Sequence, residues 1–139
     1  MWKLKVLVPL DGTETSLYAL HWIKKFFPPS MIDITLINVI EGLYARNSCS
    51  VGEFEINLRK SMNILLQGEY ELPEYTVEKA SAFGSPSEVI LKEAEAGGYH
   101  MIVITKSNIK GLIKFVGAVT TKIIRNSDIP VISVSECKP

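Results

Sequence analysis

Short apolar runs alternate along this chain with stretches in which apolar residues recur every three or four positions. Residues 4–9, Leu-Lys-Val-Leu-Val-Pro, are a compact apolar run closed by Pro9. They predict a buried strand, because β-branched residues favour the pleated state. Asp11-Gly12 then signals a turn. Leu17, Leu20, Ile23 and Phe27 recur at helical spacing, with Thr13 placed to cap the helix and Pro28-Pro29 placed to stop it. Residues 32–40 predict a second strand, residues 41–52 a loop, and Glu53 to Gln67 a helix with Phe54, Leu58, Met62 and Leu65 on one face. Tyr75 to Ser81 alternates with mixed polarity, which places a third strand at a sheet edge. Ser85-Pro86-Ser87-Glu88 has the spacing of a capping box with proline at the first helical position, and Gly97-Gly98 ends the helix that follows. Met101 to Ile104 predicts a fourth strand buried on both faces. A lysine-rich loop, a helix from about Gly117 to Arg125 and a last strand, Val131 to Val134, complete the chain.

The order β-α-β-α-β-α-β-α-β predicts an α/β fold: a single-domain, Rossmann-like, open parallel five-stranded sheet with strand order 3-2-1-4-5 and helices on both faces. One domain over residues 1–139 is expected. In such a sheet ligands bind beyond the carboxyl ends of the strands, where the winding direction reverses. That rule brings Asp11, after the first strand, toward the segment from Thr105 to Gly117, after the fourth. Asp11 reads equally as the first half of a standard turn dipeptide.

Composition narrows the function classes. Fifteen basic residues balance fifteen acidic ones, so nothing predicts general attraction to nucleic acid or to a membrane surface. No stretch approaches the length of a membrane helix. Cys49 and Cys137 sit in no metal-ligand or CxxC spacing and read as free thiols of a cytoplasmic protein. His21 and His100 have no companion ligand at metal spacing, so no metal site is expected. Trp2, Trp22, Phe26 and Phe27 read as core or interface residues. The chain carries no G-x-x-x-x-G-K-[ST], no G-x-G-x-x-G after the first strand and no G-x-S-x-G. No nucleophile, base and oxyanion donors fall together, so an enzyme is not the expectation.

Five segments together resemble the universal stress protein family, in order and across nearly the whole chain. They are Pro9-Leu10-Asp11-Gly12-Thr13-Glu14, Leu36-Ile37-Asn38-Val39-Ile40, Gly84-Ser85-Pro86-Ser87-Glu88-Val89-Ile90, Ala96 through Ile104, and Ile129-Pro130-Val131-Ile132-Ser133-Val134. The resemblance implies a small cytoplasmic stress-response protein, usually a homodimer, of a family in which some members bind ATP. In the binding members an aspartate after strand one contacts the adenosine part, a position matched by Asp11. Strand two supplies backbone contacts to the base, a position matched by Val39. The phosphates are held by a loop of pattern G-x2-G-x9-G-[ST].

This chain departs from that loop. Thr105 and Asn108 stand at its first two glycines, the interval from Asn108 to Gly117 is nine positions rather than ten, and Ala118 replaces the terminal hydroxyl residue. Glycine lets backbone N–H groups approach a phosphate at positive φ, and a β-branched threonine resists that conformation. Lys106, Lys110 and Lys114 could supply positive charge, Ser107 and Asn108 could donate hydrogen bonds, and Gly111 keeps the loop flexible. Exposed lysines read equally well as a solvated loop. The candidate site is therefore Pro9, Asp11, Val39, Thr105, Ser107, Asn108, Gly111, Gly117 and Ala118. Its implied ligand is ATP or AMP, with Mg²⁺. The leading expectation is a non-enzymatic stress-response module with a degenerate nucleotide pocket, dimeric through Val131 to Val134 and acting on an unidentified protein partner. The alternative is a switch whose ATP or AMP occupancy gates a partner surface, and a slow ATPase is a third reading.

Overall fold

A computed structural model describes residues 2–41, 50–106, 113–136 and 139, with the backbone alone for 113–116. Strands β1 (Leu4–Pro9), β2 (Ile32–Ile40), β3 (Thr76–Phe83), β4 (Met101–Thr105) and β5 (Val131–Val134) form one sheet in the order β3-β2-β1-β4-β5. Each neighbouring pair runs parallel. The predicted architecture and strand order are thus the observed ones.

Helices α1 (Tyr18–Phe26), α2 (Val51–Tyr70), α3 (Pro86–Ala96) and α4 (Ile113–Asn126) cover the sheet on both faces. The alternation of β1 explains the two layers. Val6 and Val8 point into a core with Leu20 and Ile23 of α1 and Leu65 of α2. Leu7 points the other way, toward Ile90 and Ala94 of α3 and Ile123 of α4. Because Val6–Val8 of β1 and Met101–Ile104 of β4 are buried on both faces, those stretches are continuous apolar runs.

Local sequence signals account for most boundaries. Thr13 caps as predicted, accepting from Ser16 N–H at 3.3 Å, but the first turn is a 3-10 turn (Glu14–Leu17) leading into α1. Ser50 caps α2 through Glu53 N–H at 3.2 Å, so α2 takes in Val51 and Gly52, which the sequence had placed in a loop. Residues 42–49, with Cys49, lie outside the described residues, as does Cys137. Ser85 is the N-cap of α3 but makes no side-chain cap bond, so the predicted capping box does not form. Gly98, at φ +67°, supplies the left-handed residue after α3. The four aromatics divide: Trp22 and Phe27 pack against the core, whereas Trp2 and Phe26 are 69% and 62% exposed and are not core.

Hydrogen-bond parity decides where the sheet opens. In a parallel pair the N–H and C=O of one residue face the same neighbour, and successive residues alternate. His100 N–H donates to Lys5 C=O at 2.8 Å, so Lys5, Leu7 and Pro9 face β4. Leu10 N–H donates to Ile37 C=O at 2.9 Å, so Ile37 and Val39 face β1. At the far edge Lys106 N–H donates to Val134 C=O at 2.7 Å, which turns the peptide groups of Val131 and Ser133 outward.

Gly68 shows how closely α2 lies on the sheet: a Cβ there would sit 2.5 Å from Leu10 Cδ1 and 2.9 Å from Leu36 Cδ1. Elsewhere in a helix, glycine to alanine gains about 1 kcal/mol. Here overpacking, which costs about 1–3 kcal/mol, outweighs that gain. Gly68→Ala is therefore expected to destabilise the fold by about 1 kcal/mol, read as a lower urea midpoint at unchanged slope.

Candidate functional site

Pro9 has no N–H, and its ring nitrogen is the group that would have extended the ladder toward β4. The paired register of β1 and β4 accordingly stops at Leu7↔Ile102, although β4 continues to Thr105. On the other side, the register of β1 and β2 stops at Pro9↔Ile37 while β2 continues to Ile40. Both neighbours overrun β1, and the notch above its end is a crevice of about 300 Å³. It sits at the point where the winding reverses, between β1 and β4, as the fold rule requires.

The walls are largely apolar. Ile37 and Val39 come from β2, Ile104 from β4, Pro86 and Ile90 from α3 and Val119 from α4. The polar lining comes from Asp11, Thr13, Ser16, Asn38, Glu41 and Thr105. Asp11 holds its own turn: its Oδ1 accepts from Thr13 N–H at 2.8 Å and from Thr13 Oγ1 at 2.5 Å. Gly12 follows at φ +88°, a conformation that favours glycine. Asp11 is exposed, so its second carboxylate oxygen is open to the crevice and to water. Val39 faces β1 beyond the end of that strand, which turns its N–H and C=O into the crevice.

The sequence candidates separate into three groups. Pro9, Asp11, Val39 and Thr105 all line the crevice, so the turn after β1 and the end of β4 do meet. Ser107, Asn108 and Gly111 lie outside the described residues, as does Lys110, and of Lys114 only the backbone is described. Gly117 and Ala118 are not the end of a loop. They lie inside α4, which begins at Ile113, four residues before the predicted start, and the neighbouring Val119 lines the crevice.

Thr105 is not a freely exposed residue. It is buried, and its hydroxyl accepts from Ala19 N–H at 2.9 Å and donates to Ser16 C=O at 3.2 Å. Asn38 is a further crevice residue that the sequence reading passed over. Buried in β2, it donates from Nδ2 to Leu10 C=O at 2.8 Å and ties the two strands together where their ladder ends. The available signal was a lone amide within the apolar run Leu36-Ile37-Asn38-Val39-Ile40. Such a residue is retained in a core only with a partner.

The ionisable groups among the described lining residues are two carboxylates, Asp11 and Glu41. The two tyrosines whose phenols burial pushes above their usual range, Tyr75 and Tyr99, precede β3 and β4 and so lie at the other end of the sheet. His100 is there too, its Nδ1 accepting from Lys5 N–H at 2.8 Å. His21 faces Glu71 across 3.3 Å on α1. Among the described residues no group of three or more His, Cys, Asp and Glu side chains converges to hold a metal ion. Among the same residues no helix is long and apolar enough to cross a membrane.

An open parallel sheet with a crevice at the switch point of its winding defines a doubly wound α/β protein. Within that class the universal stress protein family matches residues 4–135, and the chain belongs to this family. A universal stress protein of Methanocaldococcus jannaschii is 29% identical over 154 residues, covering 94% of this chain and 93% of that one. The solved structure of that protein superposes with a TM-score of 0.76 at 26% identity, over 100% of both chains. A family member from Arabidopsis thaliana, solved with AMP bound, superposes at 0.73 with 19% identity, over 96% of this chain and 92% of that one. One from Archaeoglobus fulgidus, in complex with dAMP, superposes at 0.70 with 15% identity, over 96% and 98%.

Replacing Asn38 by valine removes the amide and leaves the Leu10 carbonyl without that partner. A buried polar group left unpaired costs about 1–3 kcal/mol. Asn38→Val is expected to lose stability in that range in urea unfolding, and an unchanged midpoint would show that the amide holds nothing.

Proposed function

We propose that this chain is a cytoplasmic, non-enzymatic stress-response module whose crevice takes the adenosine part of an adenine nucleotide and holds ATP weakly or not at all. What supports this reading is the described lining, which offers groups suited to a nucleoside and, among the described residues, no cation for a triphosphate. Val39 turns backbone donor and acceptor groups into an apolar slot suited to a purine edge. Asp11 offers a carboxylate oxygen suited to a ribose hydroxyl. Both charged groups in the described lining, Asp11 and Glu41, repel phosphate. A volume of about 300 Å³ is at the lower end of ordinary ligand clefts. The relatives solved with AMP and with dAMP carry monophosphate ligands, which agrees with a site built around the nucleoside.

Calorimetric titration with adenosine, AMP and ATP, each with Mg²⁺ present, tests the ranking. Adenosine or AMP is expected to bind at least as tightly as ATP. ATP binding more than tenfold tighter than AMP would favour the rival reading, a switch whose ATP occupancy gates a partner surface. Asp11→Ala is expected to weaken AMP by roughly tenfold or more, the usual scale for losing a hydrogen bond to a charged group.

The same reading extends to assembly as a homodimer through β5. Its support is the position of β5 at the sheet edge, with the peptide groups of Val131 and Ser133 turned away from β4. An apolar strand edge of this kind calls for pairing or cover, and a two-fold axis would pair it with its copy. Light scattering at micromolar concentration should report a dimer, and Ser133→Pro, which removes an outward N–H, should report a monomer. A monomeric wild-type protein would remove the proposal.

A further inference from the structure

We propose that Thr105 is a positioning residue that fixes one wall of the crevice from across the sheet. The affinity arm of its test rests on the nucleoside reading above; the exchange arm does not.

The start of α1 poses a local problem. The first four N–H groups of a helix have no partner within it, and the N-cap residue of α1, Leu17, makes no side-chain cap bond. Ala19, the second residue of α1, is fully buried, so water does not serve its N–H. The C=O of Ser16, in the 3-10 turn just before, also lies against the sheet. Thr105 answers both at once, accepting from Ala19 N–H at 2.9 Å and donating to Ser16 C=O at 3.2 Å. The task needs one donor and one acceptor on a single short side chain, which a hydroxyl supplies and glycine, alanine or valine do not.

The same turn forms the crevice wall. Thr13 and Ser16 line the crevice, and Ser16 Oγ donates back to Thr13 C=O at 2.8 Å. Thr13 in turn gives its N–H and its hydroxyl to Asp11. An unbroken chain of hydrogen bonds therefore runs from the last residue of β4, through Ser16 and Thr13, to the Asp11 carboxylate in the crevice lining. At this position the family loop pattern carries glycine. Here the threonine exchanges backbone freedom near a phosphate for a fixed orientation of Asp11. A glycine introduced at Thr105 would accordingly break the wall rather than restore a phosphate loop.

Amide hydrogen exchange in the full-length protein and calorimetry with AMP test this. In the wild-type protein the Ala19 N–H is expected to exchange slowly, like amides of β1, despite its place at a helix start. Exchange as fast as that of an open helix terminus would overturn the proposal without any variant. In Thr105→Val, nearly isosteric, Ala19 is expected to exchange about tenfold faster and AMP to bind about tenfold more weakly. Thr105→Ser, which keeps the hydroxyl, should bring both within about threefold of wild type. Unchanged Ala19 protection in Thr105→Val, or unchanged AMP affinity once that protection is lost, would refute the role. If wild-type protein binds neither AMP nor adenosine, the nucleoside reading fails, and the Ala19 amide still decides whether the clamp exists.

Discussion

One missing hydrogen-bond donor shapes the functional end of this molecule. β1 is the central strand, held on one side by β2 and on the other by β4. Its parity aims Pro9 at β4, and a proline has nothing to donate there. The strands part at that level, while β2 and β4 run on. The notch is therefore a consequence of where proline falls in the strand. One residue earlier it would face β2, and the side on which the sheet opens would change with it.

The polar groups around the notch are mostly occupied with holding the backbone. The Asn38 amide closes the β1–β2 side, the Thr105 hydroxyl closes the β4–α1 side, and the first oxygen of Asp11 closes its own turn. Among the described lining residues the groups left over are few: the second oxygen of Asp11, the peptide groups of Val39 and the carboxylate of Glu41. A buried polar group is tolerated when its valences are filled, so the site spends most of its polar atoms on rigidity. That economy favours a flat, mainly apolar ligand over a highly charged one, which is the physical content of the proposed preference for the nucleoside.

Much of the fold was legible because period and burial agree. Residues 4–9, 32–40 and 131–134 were read with the bounds they have, since each is a short apolar run enclosed by turn residues. The meeting of Asp11 and Thr105 followed from strand order alone. Other features resisted for specific reasons. The Ser85 spacing fits a capping box, but the rotamer that would close it is a tertiary matter, and the side chain makes no such bond. The sequence suggests a start for α4 at about Gly117, four residues late, because a glycine marks a helix end more often than its interior, yet one glycine is tolerated inside a helix that packs well. Trp2 and Phe26 read as core or interface residues from their size, which does not fix burial, and the fold leaves both outside the core. The two residues that most determine the crevice, Asn38 and Thr105, are single polar letters in apolar strands. Their partners lie 28 and 86 residues away, beyond any local pattern.

The tight seat of Gly68 has an effect at a distance. Leu10, which a side chain at that glycine would strike first, is also a lining residue of the crevice. The helix on the back of the sheet thus acts as a platen against the floor of the binding notch. Bulk added to α2 at Gly68 would press on Leu10 and be felt as a change in the depth of the crevice, although Gly68 itself does not line it.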